Sequence, residues 1–324
     1  MLAAWYEKNG PAADVMKVGE LPDPVPAAGE VRVRLHTSAV NPSDVKARGG
    51  SRKITWPKLI PNSDGAGVID QVGTGVDAAR IGQRVWTFNG QWQRPYGTSA
   101  QYISLPAAQA VPLPDHITFE QGACLGIPVM TAHRCLFAEG QIKGKTVLVT
   151  GGAGVVGHYA IQLAKWAGAT VITTVSSATK AAHAKTAGAD VVINYRTEDV
   201  VARIKAETGG VDHVVDVDFG KNLPVTAQVL RPNGVVTSYA STGDPKPVFP
   251  YYDLFALNPV VRPVLVYTMS DAAKAQAHAD IACWLKETKS IFAIAERFAL
   301  SDVVNAHLAV ELGAKVGHVI LTIG

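Results

Sequence analysis

Residues 149 to 157 read VTGGAGVVG, in which Gly152, Gly154 and Gly157 satisfy the spacing G-x-G-x-x-G. The pattern lies where its chemistry requires it, after the apolar run TVLVT and before a helical stretch carrying Ile161, Leu163 and Ala164. Glycine at these positions permits a tight turn, lets main-chain amides approach a pyrophosphate and brings helix close to strand. The helix N-terminus adds its partial positive charge. Gly152, Ala153, Gly154, Val155, Val156 and Gly157 are therefore candidate contacts to a dinucleotide. Three further strand–helix units follow, which argues against a merely structural turn.

A second stretch, TVSSATK (174 to 180), tells which dinucleotide is expected. In a sheet that binds NAD, the second strand usually ends in Asp or Glu, which accepts from the ribose hydroxyls and repels a 2′-phosphate. Here no Asp or Glu occurs from Gly140 to Ala189, a run of 50 residues in which the overall frequency of 27 in 324 would place about four. Ser176, Ser177 and Lys180 stand there instead. A phosphate needs positive charge and hydroxyl or amide donors, so the expected coenzyme is NADPH. The alternative is a solvated lysine behind two serines that serve only as a helix N-cap. Tyr195, closing VINYR, is placed to pack near the same phosphate or the adenine, and Tyr239, Ala240 and Ser241, after GVVTS, are further candidate coenzyme contacts.

These stretches sit in a chain of two textures. Up to about residue 121 short alternating strands, VRVRLH (31 to 36), GAGVIDQVGTGV (65 to 76) and GQRVWTF (82 to 88), are separated by Pro and Gly, as in an irregular antiparallel β domain. From Thr146 short buried strands alternate with helices, predicting a parallel, doubly wound sheet. The apolar PVLVY (263 to 267) is expected as an edge strand, followed by a long helix and a final strand GHVILTI. The expected fold is thus α/β, with a β-rich domain formed by 1–121 and 263–324 and an inserted nucleotide-binding domain over 122–262.

Composition excludes several classes. With 48% apolar and 18% charged residues the chain reads as globular, and its net charge of +3 is unclustered, so nucleic acid is not an implied partner. Apolar runs are broken well before the roughly 18 residues of a membrane span. The opening MLAAWYEKNG lacks the basic and apolar regions of a signal peptide. Three scattered cysteines, Cys124, Cys135 and Cys283, fit a reducing cytosol rather than a disulfide framework, and a cytoplasmic location is expected.

AVNPSDVKARGG (39 to 50), IPNSDGAGVIDQVGTGV (60 to 76), QGACLGIPVMTAH (121 to 133), VTGGAGVVGHYAIQLAKWAGATVI (149 to 172) and VINYR (192 to 196) together resemble the medium-chain dehydrogenase/reductase superfamily. The likeness is to its zinc-free quinone oxidoreductase (ζ-crystallin-like) branch and spans nearly the whole chain. It implies a GroES-like catalytic domain, a Rossmann domain, NADPH, and reduction of quinones or related conjugated carbonyls between them. It also places Asn41 at the cleft and Thr131 near the nicotinamide or its ribose phosphate. The alternative for Asn41 is an Asx turn supporting Pro42. Lys46 is a departure, since this branch commonly has tyrosine there.

Zinc-dependent relatives carry a ligand Cys and a His-Glu pair where this chain has Asn41 and Ser63-Asp64, and the four-cysteine lobe has no counterpart. No metal site is expected, and Cys124 reads as a core residue. A substrate reduced without a metal should delocalise the incoming charge itself, as a quinone or an α,β-unsaturated ketone does. The expected function is therefore NADPH-dependent reduction of quinones or activated alkenes by direct hydride transfer. The alternatives are an enoyl-thioester or 2-enal reductase and a non-catalytic NADPH-binding protein. A homodimer is expected, because an open apolar sheet edge calls for a partner.

Overall fold

The 11-residue strand Glu30–Val40 alternates apolar and charged side chains at its start, so Val31, Val33 and Leu35 point into a core while Arg32 and Arg34 point out. A computed structural model describes residues 1–323, and in it this strand organises the first of two compact units, 1–127 with 292–323. It pairs antiparallel with Asp64–Val72, Tyr102–Pro106 and His318–Thr322. Arg84–Thr87 and Ala110–Pro112 extend one side, and Ile294–Ala299, parallel to His318–Thr322, closes the other. Ile69, Val85, Ile103, Leu105 and Leu321 fill the core beneath.

The second unit, Pro128–Ile291, holds six parallel strands. Their spatial order is Val191–Asn194, Thr170–Val175, Thr146–Val149, Val211–Asp216, Leu230–Ser238, Val260–Pro263. Helices Val155–Trp166, Ala178–Thr186, Val200–Thr208 and Phe219–Val229 connect the first five. The chain order reverses between Thr146–Val149 and Val211–Asp216, and in open sheets of this type ligands bind beyond the carboxyl ends of the strands at such a point. Thr146 to Val149 are all buried, which is why the strand reads as an unbroken apolar run.

Two expectations shift. The edge strand is Val260–Pro263 rather than 263 to 267. It pairs Val260 with Val235 and Pro263 with Ser238, and it stops at a proline, after which Val266–Thr268 forms a 3₁₀ turn. The units also change over at 127/128 and 291/292, not at 121/122 and 262/263. The long helix Asp271–Glu287 belongs with the parallel sheet because Trp284 meets Tyr159 edge-on (ring centroids 6.2 Å apart) and Asp280 bonds His133 at 2.8 Å. The return to the first unit is made by Ile294–Ala299, helix Val303–Leu312 and His318–Thr322.

Candidate functional site

The glycine loop is built by main-chain geometry. Gly151 turns the chain with φ +65, and Gly154 N–H closes the turn on Gly151 O at 2.8 Å before capping helix Val155–Trp166. A Cβ on Gly157 would stand 2.5 Å from Gly151 O, so only glycine lets the first helical turn lie against the loop. Gly152 N–H reaches Thr174 O at 3.1 Å and ties the loop to the second strand. The first-turn amides of Val155, Val156 and Gly157 have no acceptor within an ideal helix and are free by geometry to bind an anion. Gly151 was missed in the sequence because the G-x-G-x-x-G pattern begins one residue later; its signal was the doubled glycine.

The neighbouring strand end gathers the other coenzyme candidates. Strand Thr170–Val175 runs into Ser176, whose Oγ accepts from Lys180 Nζ at 3.1 Å. Ser177 caps helix Ala178–Thr186 by accepting Lys180 N–H at 3.3 Å, the N-cap named above as the alternative, while the Lys180 side chain turns back onto Ser176. A hydroxyl that accepts from an amide keeps its own hydrogen to donate. Tyr195 N–H bonds Val175 O at 3.1 Å, bringing Tyr195 beside the same corner with its side chain exposed. Arg196 follows it and adds a second cation that the sequence reading did not use.

Beyond the reversal point lies a buried polar knot that no sequence motif marks. Asp216, at the end of Val211–Asp216, is fully buried. Its Oδ1 accepts from Thr150 Oγ1 (2.8 Å), Asp218 N–H (2.9 Å) and Asn222 Nδ2 (2.7 Å). Burial pushes this carboxyl upward, against the pull of those donors. The signal was an Asp ending an apolar strand at the point where strand order reverses. Tyr239 N–H bonds Asp216 O at 3.2 Å. Ala240 O and Ser241 Oγ accept from Phe219 N–H and Gly220 N–H, both at 2.9 Å, so these two candidates tie the fifth strand to helix Phe219–Val229. Thr131 is buried near the start of helix Met130–Phe137 in this unit.

In the first unit Asn41 N-caps the short helix Pro42–Lys46. Its backbone N–H donates to Asp44 Oδ2 and its Nδ2 to Asp64 Oδ2, each at 2.8 Å. The same Asp64 oxygen accepts Ile127 N–H at 2.8 Å. Asn41, Asp44 and Asp64 are all buried. Burial pushes the Asp44 carboxyl up to about 7, and burial, followed by the nearby Asp44, pushes Asp64 well above the usual carboxylate range. Lys46 is exposed at the end of the helix that Asn41 begins. Cys124 Sγ donates to Glu120 O at 3.3 Å, inside its own helical turn. Among the described residues no three His, Cys, Asp or Glu side chains are grouped to hold a metal ion.

A doubly wound sheet with a glycine loop, joined in sequence to a GroES-like β unit, defines a medium-chain dehydrogenase/reductase. Residues 27–115 match the family "Alcohol dehydrogenase GroES-like domain" and residues 155–281 the family "Zinc-binding dehydrogenase". The quinone oxidoreductase of Rattus norvegicus is 34% identical over 71% of this chain and 70% of its own. The 2-haloacrylate reductase of a Burkholderia species is 29% identical over 99% and 98%. Among solved structures, a mycobacterial protein complexed with NADPH superposes with a TM-score of 0.87 at 28% identity over 100% of both chains. The chain belongs to the quinone oxidoreductase branch of the superfamily and is an NAD(P)H-dependent, quinone oxidoreductase-like enzyme.

Proposed function

We propose that the chain is an NADPH-dependent reductase of quinones or activated alkenes that works by direct hydride transfer without zinc. The observation that carries the coenzyme choice is the corner formed by Ser176, Ser177 and Lys180. The second strand ends there without a carboxylate, and a lysine ammonium is steered onto a serine hydroxyl. These residues suit a 2′-phosphate, with Tyr195 beside them, while the glycine loop and the Val155–Gly157 amides suit a pyrophosphate. Tyr239, Ala240 and Ser241 are assigned to the coenzyme at the fifth strand end. The mycobacterial relative solved with NADPH supports the assignment. A bound NADPH would supply the hydride.

The chain's own share is to bind, orient and offer donors. Asn41 spends one Nδ2 hydrogen on Asp64 and keeps a second for the substrate oxygen on which charge develops. Asp64 thereby fixes the carboxamide in one orientation. Lys46 is the candidate second donor at that oxygen, and Thr131 is assigned to the nicotinamide end of the coenzyme. Asn41 and Asp64, at the positions compared above with metal ligands, are bonded to each other, which supports metal-free reduction. The Burkholderia relative, named for a reaction on an activated alkene, favours including that substrate class.

A homodimer in the cytoplasm completes the proposal. Val260–Pro263 is an open edge strand, and Val248 and Tyr252 nearby in sequence are 91% and 80% exposed. No cysteine is in a disulfide, and no helix of the described residues is long and apolar enough to cross a membrane. Sedimentation at micromolar concentration should give twice the chain mass of 34.2 kDa. NADPH oxidation with a panel of quinones, enones and enoyl thioesters tests the activity, before and after chelation. Turnover of the first two classes that survives chelation is expected, and tight NADPH binding without turnover of any would overturn it.

A further inference from the structure

The knot around Asp216 joins segments that the coenzyme proposal assigns to different parts of the dinucleotide. Thr150 stands immediately before Gly151, where the glycine loop turns. Its N–H bonds Val215 O at 3.0 Å. Its hydroxyl is used twice, donating to Asp216 Oδ1 at 2.8 Å and accepting Val217 N–H at 3.0 Å. A hydroxyl whose hydrogen and lone pair are both committed is held in one orientation. Gly151 packs against the same strand end, where a Cβ would stand 3.0 Å from Val217 Cγ1. On its other flank the loop is tied to the second strand by Gly151 N–H on Thr174 Oγ1 at 3.2 Å.

Asp216 also reaches the fifth strand end. Its main-chain O accepts Tyr239 N–H at 3.2 Å. Its Oδ1 accepts Asp218 N–H at 2.9 Å, and the Asp218 carboxylate in turn accepts Gly243 N–H at 3.0 Å. That seat is tight, because a Cβ on Gly243 would stand 2.5 Å from Asp218 Oδ2. Tyr239 and Gly243 bracket Ala240 and Ser241, so the whole candidate segment is held from one strand end. Asn222 Nδ2, at 2.7 Å from the same Oδ1, adds helix Phe219–Val229. All three side-chain and main-chain donors use Oδ1, and Asp216 and Thr150 are both buried. Removing that oxygen strands three donors in the interior, where the loss costs most.

Resting on the coenzyme assignment above, we infer that Asp216 is a positioning residue that sets the glycine loop against the Tyr239–Ser241 segment. It acts through Thr150 on one side and Asp218 on the other. It raises affinity for the dinucleotide without choosing between coenzymes. NADPH and NADH share the pyrophosphate and the nicotinamide, whereas the 2′-phosphate is assigned to the corner where Lys180 meets Ser176, outside the knot.

The test titrates the full chain and its variants, each first shown by circular dichroism to be folded at the titration temperature. The probes are NADPH and NADH, followed by fluorescence, and 2′-AMP, followed by calorimetry. The last carries the 2′-phosphate but neither pyrophosphate nor nicotinamide. Asp216→Ala should weaken NADPH and NADH by the same factor, at least about tenfold, and leave 2′-AMP within about twofold of wild type. Asp216→Asn, which keeps an oxygen for the same donors, should restore both coenzymes to within about threefold. Thr150→Val keeps the shape and removes the hydroxyl, so it should weaken both coenzymes alike, and Thr150→Ser should restore them. That pair decides the matter if Asp216→Ala does not fold. Unchanged coenzyme affinity in folded Asp216→Ala or Thr150→Val, weakening of one coenzyme alone, or an Asp216→Asn variant as weak as Asp216→Ala would each overturn the inference. So would a loss of 2′-AMP equal to the loss of coenzyme, since the whole unit would then be disturbed. Failure of the coenzyme assignment looks different: a wild type that binds neither coenzyme removes both claims, whereas flat variant series beside tight wild-type binding remove this one alone.

Discussion

The coenzyme corner of the second unit and the Asn41 cluster of the first are both dense in hydrogen bonds, yet they are built in opposite ways. The corner is local: Gly151 to Gly157 form one turn and the start of one helix, and Ser176 and Lys180 lie four residues apart. Its donors are main-chain amides and surface side chains that water can reach. The Asn41 cluster is assembled from three distant stretches, with Asn41, Asp64 and Ile127 meeting through one buried carboxylate oxygen. A site made of local backbone tolerates side-chain change, whereas one made of interlocked buried side chains does not.

The largest effect expected from that contrast is at Asp64. Asp64→Ala strips the acceptor from both Asn41 Nδ2 and Ile127 N–H and should cost about 3–5 kcal/mol by urea denaturation. Asp64→Asn, which can still present an oxygen to both donors, should cost less than half as much. Equal losses would mean that the charge, not the acceptor, holds the cluster.

Smaller and confined to the other unit is the glycine loop. Gly157→Ala forces a Cβ against main-chain Gly151 O and should cost about 1–3 kcal/mol together with most coenzyme affinity. Gly154→Ala, whose Cβ meets only Gly151 O at 3.2 Å, should be the milder of the two in both thermal melting and coenzyme titration. The reverse order would show that the loop is not held by close backbone approach.

A further effect is a pH dependence belonging to the buried cluster. The Asp44 carboxyl, ordinarily at 3.8, sits at about 7 in the folded chain, so the folded state holds the extra proton between those values. Stability from this group therefore falls as pH rises through that window. Buried histidines act the other way: His307 is pushed down to about 3 and His158 and His213 to about 4, all by burial, so they cost stability as pH falls below about 6.5. They are common to wild type and variant, so the difference isolates Asp44. The melting temperature of Asp44→Asn minus that of wild type should grow more positive from pH 5 to pH 8, and a flat difference would contradict the raised carboxyl.

The same contrast explains what was legible in the sequence. The parallel sheet, its glycine loop and the acid-free turn could be read because each depends on residues close along the chain. The strand ends were less legible: Pro263 closes an edge strand that the apolar PVLVY predicts it to begin, because tertiary pairing with Leu230–Ser238 sets the strand's bounds. Asp44 reads as a turn residue in NPSDVK, and only the fold shows that it is buried near Asp64.

The central claim is the choice of coenzyme, and fluorescence titration of NADPH and NADH against wild type and Lys180→Ala tests it most directly. The wild type should prefer NADPH. Loss of the Lys180 contact should weaken NADPH by about 10- to 150-fold, equivalent to about 1.5–3 kcal/mol, and leave NADH within about twofold. A wild type that prefers NADH, or a variant that weakens both coenzymes equally, would contradict the account.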